Sequence, residues 1–101
     1  MSFIEVAKTS EITNGKMKGV MLGGKDILIT NVDGKYYAIG GKCTHAGGDL
    51  SKGVLNGKIV RCPRHGSKFD VTTGKLAGGP AAKDELKFEI KVEGASIKVN
   101  I

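Results

Sequence analysis

The chain has 101 residues, 40% of them hydrophobic and 26% charged, which fits one globular domain and is too apolar for a disordered chain. Sixteen basic against ten acidic residues give a formal charge of +6, which suits nucleic acid, an anionic membrane or an acidic protein partner without choosing among them, while no stretch reaches the ~18 apolar residues of a membrane span. The opening Met1-Ser2-Phe3-Ile4-Glu5 has no basic leader and no apolar region, so the expected location is cytoplasmic, where cysteines serve better as metal ligands or redox groups than as a disulfide.

In chain order, β-type runs cover residues 3–7, 19–22, 26–32, 35–39, 54–55, 58–61 and 68–71, punctuated by sixteen glycines. Thr9-Ser10-Glu11-Ile12 offers a turn or helix start, but no amphipathic window long enough for a core helix follows. Asp33-Gly34 and Asn56-Gly57 can supply the positive φ angles of type I′ turns, and Gly23-Gly24 suits a similar connection. Residues 86–93 alternate apolar and polar, which predicts one strand with Leu86, Phe88, Ile90 and Val92 on a single face, joined across Gly94 to a partner over 97–101. The expected class is all-β. No glycine-rich phosphate motif stands between a strand and a helix, so nucleotide binding is not expected.

Both cysteines and both histidines fall in two compact groups, Cys43-Thr44-His45 and Cys62-Pro63-Arg64-His65, separated by sixteen residues. The Asn56-Gly57 turn near the middle of that interval can bring the groups together, so the spacing predicts a shared site. Two thiolates and two imidazoles also suit tetrahedral zinc, which stays open on ligand identity alone. The common zinc finger, however, places a cysteine pair before a histidine pair, with a helix between. No Cys-x-x-Cys supports a thiol-disulfide role. Five aromatics, two arginines and no recognition helix argue against nucleic acid.

Cys-x-His followed sixteen residues later by Cys-x-x-His resembles the Rieske iron-sulfur family. Cys43-Thr44-His45-Ala46-Gly47-Gly48 is similar to its first cluster loop, and Cys62-Pro63-Arg64-His65-Gly66-Ser67-Lys68-Phe69-Asp70 to its second. Gly78-Gly79-Pro80-Ala81 resembles the proline loop that covers the cluster. High-potential members carry an extra cysteine in each loop, forming a disulfide; Gly48 and Arg64 stand there instead. The resemblance is therefore to the soluble Rieske-type ferredoxins, with the small subunit of nitrite reductase as a related alternative.

The resemblance implies one domain over 1–101. Residues 1–41 and 81–101 would form an antiparallel β-sandwich or partial-barrel base, and 42–80 an inserted lobe of hairpin loops ending in the proline loop. It implies one 2Fe-2S cluster per chain, with Cys43 and Cys62 on one iron and His45 and His65 on the other, in a potential range of roughly −150 to +300 mV. Ser67 would donate to a bridging sulfide and raise the potential. Phe69 replaces a tyrosine that would donate to a cysteine sulfur, so a midpoint in the lower half of that range is expected. Gly47, Gly48 and Gly66 would let backbone amides approach the sulfides, and Pro80 would limit water.

The implied function is one-electron carriage between a reductase and an oxygenase or another redox enzyme, without catalysis of its own. Residues 42–75 hold seven bases against two acids, +5 of the total. Lys42, Lys52, Arg64 and Lys68 are therefore expected to dock transient acidic partners, in a chain expected to be monomeric.

Overall fold

The computed structural model describes residues 2–44, 47–81 and 83–101. Among them the β-type runs become eleven strands in three antiparallel sheets. An outer sheet runs in the order β1 (Phe3–Lys8), β11 (Ser96–Asn100), β10 (Ile90–Glu93). The central sheet is β2 (Met17–Leu22), β3 (Lys25–Val32), β4 (Lys35–Gly40), β9 (Lys87–Phe88). The third is β5 (Val54–Asn56), β6 (Ile59–Arg61), β7 (Lys68–Asp70), β8 (Leu76–Gly78).

The central sheet has a core on each face. Strand β3 carries a continuous apolar run, and Ile27, Leu28 and Ile29 are all fully buried, as a strand covered on both sides requires. Side chains alternate across a strand, so Ile27, Ile29 and Ala38 pack with Ile12, Ile97 and Val99 toward the outer sheet. Leu28 and Ile39 pack the other way, with Leu50, Val60, Phe69, Val71 and both cysteines. Cys43 and Cys62 thus rest on an apolar floor shared by the central and third sheets. No helix is long and apolar enough to cross a membrane among the described residues.

The turns follow their residues with one correction. Gly23 and Gly24 take φ of 54° and 79°, and Asp33 and Gly34 take 53° and 87°, the paired positive values of a type I′ turn. The Asn56-Gly57 expectation shifts by one residue: Asn56 stays in the ladder opposite Ile59, leaving Gly57 and Lys58 as the turn. Only Gly57, at 62°, has positive φ there, which is the type II′ pattern. Thr9–Glu11 forms a short 3-10 turn, and a second covers Leu50–Lys52 behind the capping side chain of Asp49.

The single strand expected over residues 86–93 is in fact two. Phe88 pairs with Ala38 in the central sheet, whereas Ile90 to Glu93 pair with Ser96 to Val99 in the outer one. The chain crosses between sheets at Glu89, whose carbonyl accepts from the Asn100 amide at 2.9 Å. One alternation therefore serves two surfaces, and Leu86 and Val92 end up 69% and 44% exposed. Strand β8 has no counterpart in the sequence reading, because Leu-Ala-Gly is too short to show a period.

Candidate metal centre

Each ligand group sits on a loop closed by its own backbone. In the first, the Cys43 amide donates to the Gly48 carbonyl and the Gly47 amide to the Cys43 carbonyl, both at 2.8 Å, while Lys42 bridges Asp49 below. Gly47 has φ of 70°, which a side chain would resist. Its amide is committed within its own loop. In the second, the Cys62 amide donates to the Ser67 carbonyl at 2.7 Å across a reversal in which His65 and Gly66 take φ of 62° and 75°. A left-handed histidine is uncommon and costs roughly 1–2 kcal/mol; it aims this side chain outward, and His65 is exposed.

The two loops meet. A Cβ at buried Gly48 would lie 2.8 Å from Cys62 Sγ and 3.4 Å from the Arg64 side chain, so only a residue without a side chain lets them close. Cys43 and Cys62 are buried free thiols, 3% and 2% exposed. Burial pushes the Cys62 thiol above its ordinary range; the Arg64 backbone N–H opposes this, and the neighbouring Cys43 thiol raises it further. Two adjacent buried cysteines in an apolar floor would bind a cationic centre as thiolates.

Other expected residues cluster around this pair. Ser67 is fully buried, and its Oγ accepts from the Ala81 amide at 3.1 Å, leaving its O–H available to donate elsewhere. A Cβ at Gly79, whose φ is 90°, would stand 2.5 Å from Ser67 Cα. The segment 78–81 therefore lies flush on the second loop, with Pro80 at its exposed crest. Phe69 is fully buried in the same core as the two cysteines. The Gly66 backbone lies under the Arg61 guanidinium, whose Nε and Nη2 would be 3.1 Å from an added Cβ. Lys42, Lys52, Arg64 and Lys68 are exposed. His45 lies outside the described residues.

One tetrahedral ion takes all its donors around one point. A di-iron centre of mixed ligation instead takes thiolates on one side and imidazoles on the other. Paired buried thiols with an exposed imidazole beyond them fit that division.

One site residue escapes the sequence reading. Glu85 is 8% exposed, and its Oε2 accepts from the Thr44 amide, inside the first ligand loop, at 3.0 Å. Burial raises its carboxyl to about 7, with the Thr44 N–H pulling the other way. Its surroundings in sequence, Lys83-Asp84 and Leu86-Lys87, read as surface.

A family model described as the Rieske [2Fe-2S] domain matches residues 2–96. The ferredoxin component of the naphthalene 1,2-dioxygenase/salicylate 5-hydroxylase systems of Ralstonia sp is 34% identical over 100 residues, covering 99% of this chain and 96% of the relative. Apoptosis-inducing factor 3 of Homo sapiens is 38% identical over 94 residues, covering 93% of this chain, but the chain spans only 16% of that protein's length. Among solved structures, a chain of the complex of reduced oxygenase and oxidized ferredoxin in carbazole 1,9a-dioxygenase superposes with a TM-score of 0.91. It is 31% identical, covering 96% of this chain and 91% of that one.

Proposed function

Because the chain belongs to the Rieske [2Fe-2S] domain family, we propose that it works as a one-electron carrier between a reductase and an oxygenase, as a cytoplasmic monomer of one domain. The base would be residues 1–41 and 81–101, and the inserted lobe 42–80. The observation that carries this reading is the meeting of the two ligand loops at Gly48 and Cys62 Sγ, in a chain that matches dioxygenase ferredoxin components over nearly their whole length. Cys43 and Cys62 would hold one iron, and His45 and His65 the other. When bound, the 2Fe-2S cluster supplies a one-electron couple.

The chain's own residues contribute in three ways. Leu28, Ile39, Val60 and Phe69 keep water from the thiol side, and a dry site stabilises a less charged centre. Ser67 tethers the 78–81 segment and retains an O–H for a sulfur acceptor. Exposed His65 presents an aromatic ring at the surface, where an electron can leave.

Charge supports docking at the same end. Lys52, Arg61, Arg64 and Lys68 are exposed and take part in none of the ion pairs formed among the described residues. Together with Lys42 they would receive a partner's carboxylates. Arg61 adds to the residues named from sequence: with Lys52, Val54, Pro63 and His65 it lines a recess of about 420 Å³ that reaches Cys62. Anaerobic reductive titration tests the carrier reading: uptake of one electron per chain, with a midpoint within roughly −150 to +300 mV, is expected. A chain that takes up no electron in that range contradicts it.

A further inference from the structure

The segment 83–86 is tied to four parts of the molecule at once. The Glu85 amide donates to the Gly74 carbonyl at 2.7 Å, and the Gly40 amide donates to the Leu86 carbonyl at 2.8 Å. Thr44 Oγ1 donates to the Lys83 carbonyl at 2.7 Å. The Asp84 carboxylate accepts from the Leu76 amide at 2.8 Å. The strap therefore spans the end of β4, the first ligand loop, the turn after β7, and β8.

Two glycines are shaped to admit it. A Cβ at Gly40 would lie 2.5 Å from Glu85 Oε1, and one at Gly74, φ 81°, would lie 2.6 Å from the Glu85 carbonyl. The carboxyl is buried and forms no ion pair among the described residues. Burying it this way is unfavourable, and an apolar residue would fill the space at lower cost. What the carboxyl provides is an acceptor for the Thr44 amide, the peptide that joins Cys43 to its neighbour toward His45.

We propose that Glu85 is a positioning residue for the metal centre: its buried carboxyl holds the Thr44 peptide, and through it the orientation of the first ligand loop between Cys43 and His45. The hydrogen bond reaches from a strap outside both ligand loops, so it sets the loop's shape before any cluster is present. Loop shape then governs how long the centre is retained and at what potential it operates. The inference rests on Cys43 and His45 being ligands. Were that assignment wrong, the unsubstituted protein would itself lack iron, whereas failure of the present inference leaves it loaded and the Glu85 variants no different.

The test compares Glu85→Ala and Glu85→Gln with Ile97→Ala, a truncation in the opposite core that lowers stability without touching the site. Hydrogen exchange at the Thr44 amide, cluster release to a chelator and midpoint potential are read for each. Glu85→Ala should lose Thr44 protection and release the cluster about tenfold faster or more, the worth of one hydrogen bond to a charged group, with a shifted potential. Glu85→Gln, which keeps a carbonyl acceptor, should restore protection and retention. Where Glu85→Ala does not fold, Glu85→Asp, one methylene short of Thr44, takes its place. Thr44 protection unchanged in the shortened variant, or release and potential matching those of Ile97→Ala, would overturn the proposal.

Discussion

Ser67 shows how one side chain can serve packing and chemistry together. Its Oγ accepts from the buried Ala81 amide, so Ser67→Ala removes that partner and should cost about 1–3 kcal/mol in urea unfolding. The same change removes the O–H available to sulfur, and the midpoint potential should fall; stability loss with an unmoved potential would limit Ser67 to the tether. Glu85 gives a pH signature of its own. Its folded value, about 7, lies above the free value of 4.5, so folding tightens proton binding. Its contribution is complete below pH 4.5 and declines as pH rises through 7, amounting to about 3 kcal/mol at most. Glu85→Gln should flatten that limb of the urea midpoint against pH; an identical slope in both proteins would show the carboxyl to be ordinary. The four prospective ligands and Ser67 are legible in the sequence because chemistry restricts their types and spacing. Glu85 is not, because its burial comes from close packing against Gly40 and Gly74, which are distant in sequence, and no local pattern encodes that.

Among the elements, the ligand loops depend on what glycine omits. Gly48 lies outside the left-handed region, yet its missing Cβ leaves the gap that Cys62 Sγ approaches. Gly48→Ala should therefore sharply lower the iron retained per chain, while Gly15→Ala, strained in φ but with open space around it, should lower stability by roughly 1 kcal/mol and leave iron content unchanged. Equal iron content in both variants would refute the close-approach account. Strands were readable where turn chemistry and period agreed, as in the β3–β4 hairpin around Asp33-Gly34. They were not where one run serves two sheets: residues 86–93 keep a strict alternation, but β9 and β10 bury it against different partners, and the switch at Glu89 is a tertiary event. The Asn56-Gly57 turn was found by composition and placed one residue early, since Asn56 suits either a turn or the last rung of the ladder.

For the whole molecule, the excess charge and the site share one end. Seven bases and two acids fall between residues 42 and 75, and Lys52 and Arg61 line the same recess as Cys62 and His65. Electron transfer to an acidic partner should slow as salt rises, and Arg61→Glu with Lys68→Glu should reduce the association rate about tenfold or more at low ionic strength and weaken its salt dependence. Unchanged rates in stopped-flow with an acidic oxygenase partner would remove the electrostatic account. Sequence placed this charge near the ligands but could not place Arg61, because its neighbours across the sheet, Val54 and Lys68, are set by strand register. The central claim is that two loops of one chain close on a di-iron, di-sulfide centre, and total iron with acid-labile sulfide tests it most directly. The purified protein should contain two irons and two sulfides per chain; a colourless protein holding one zinc and no sulfide would contradict it.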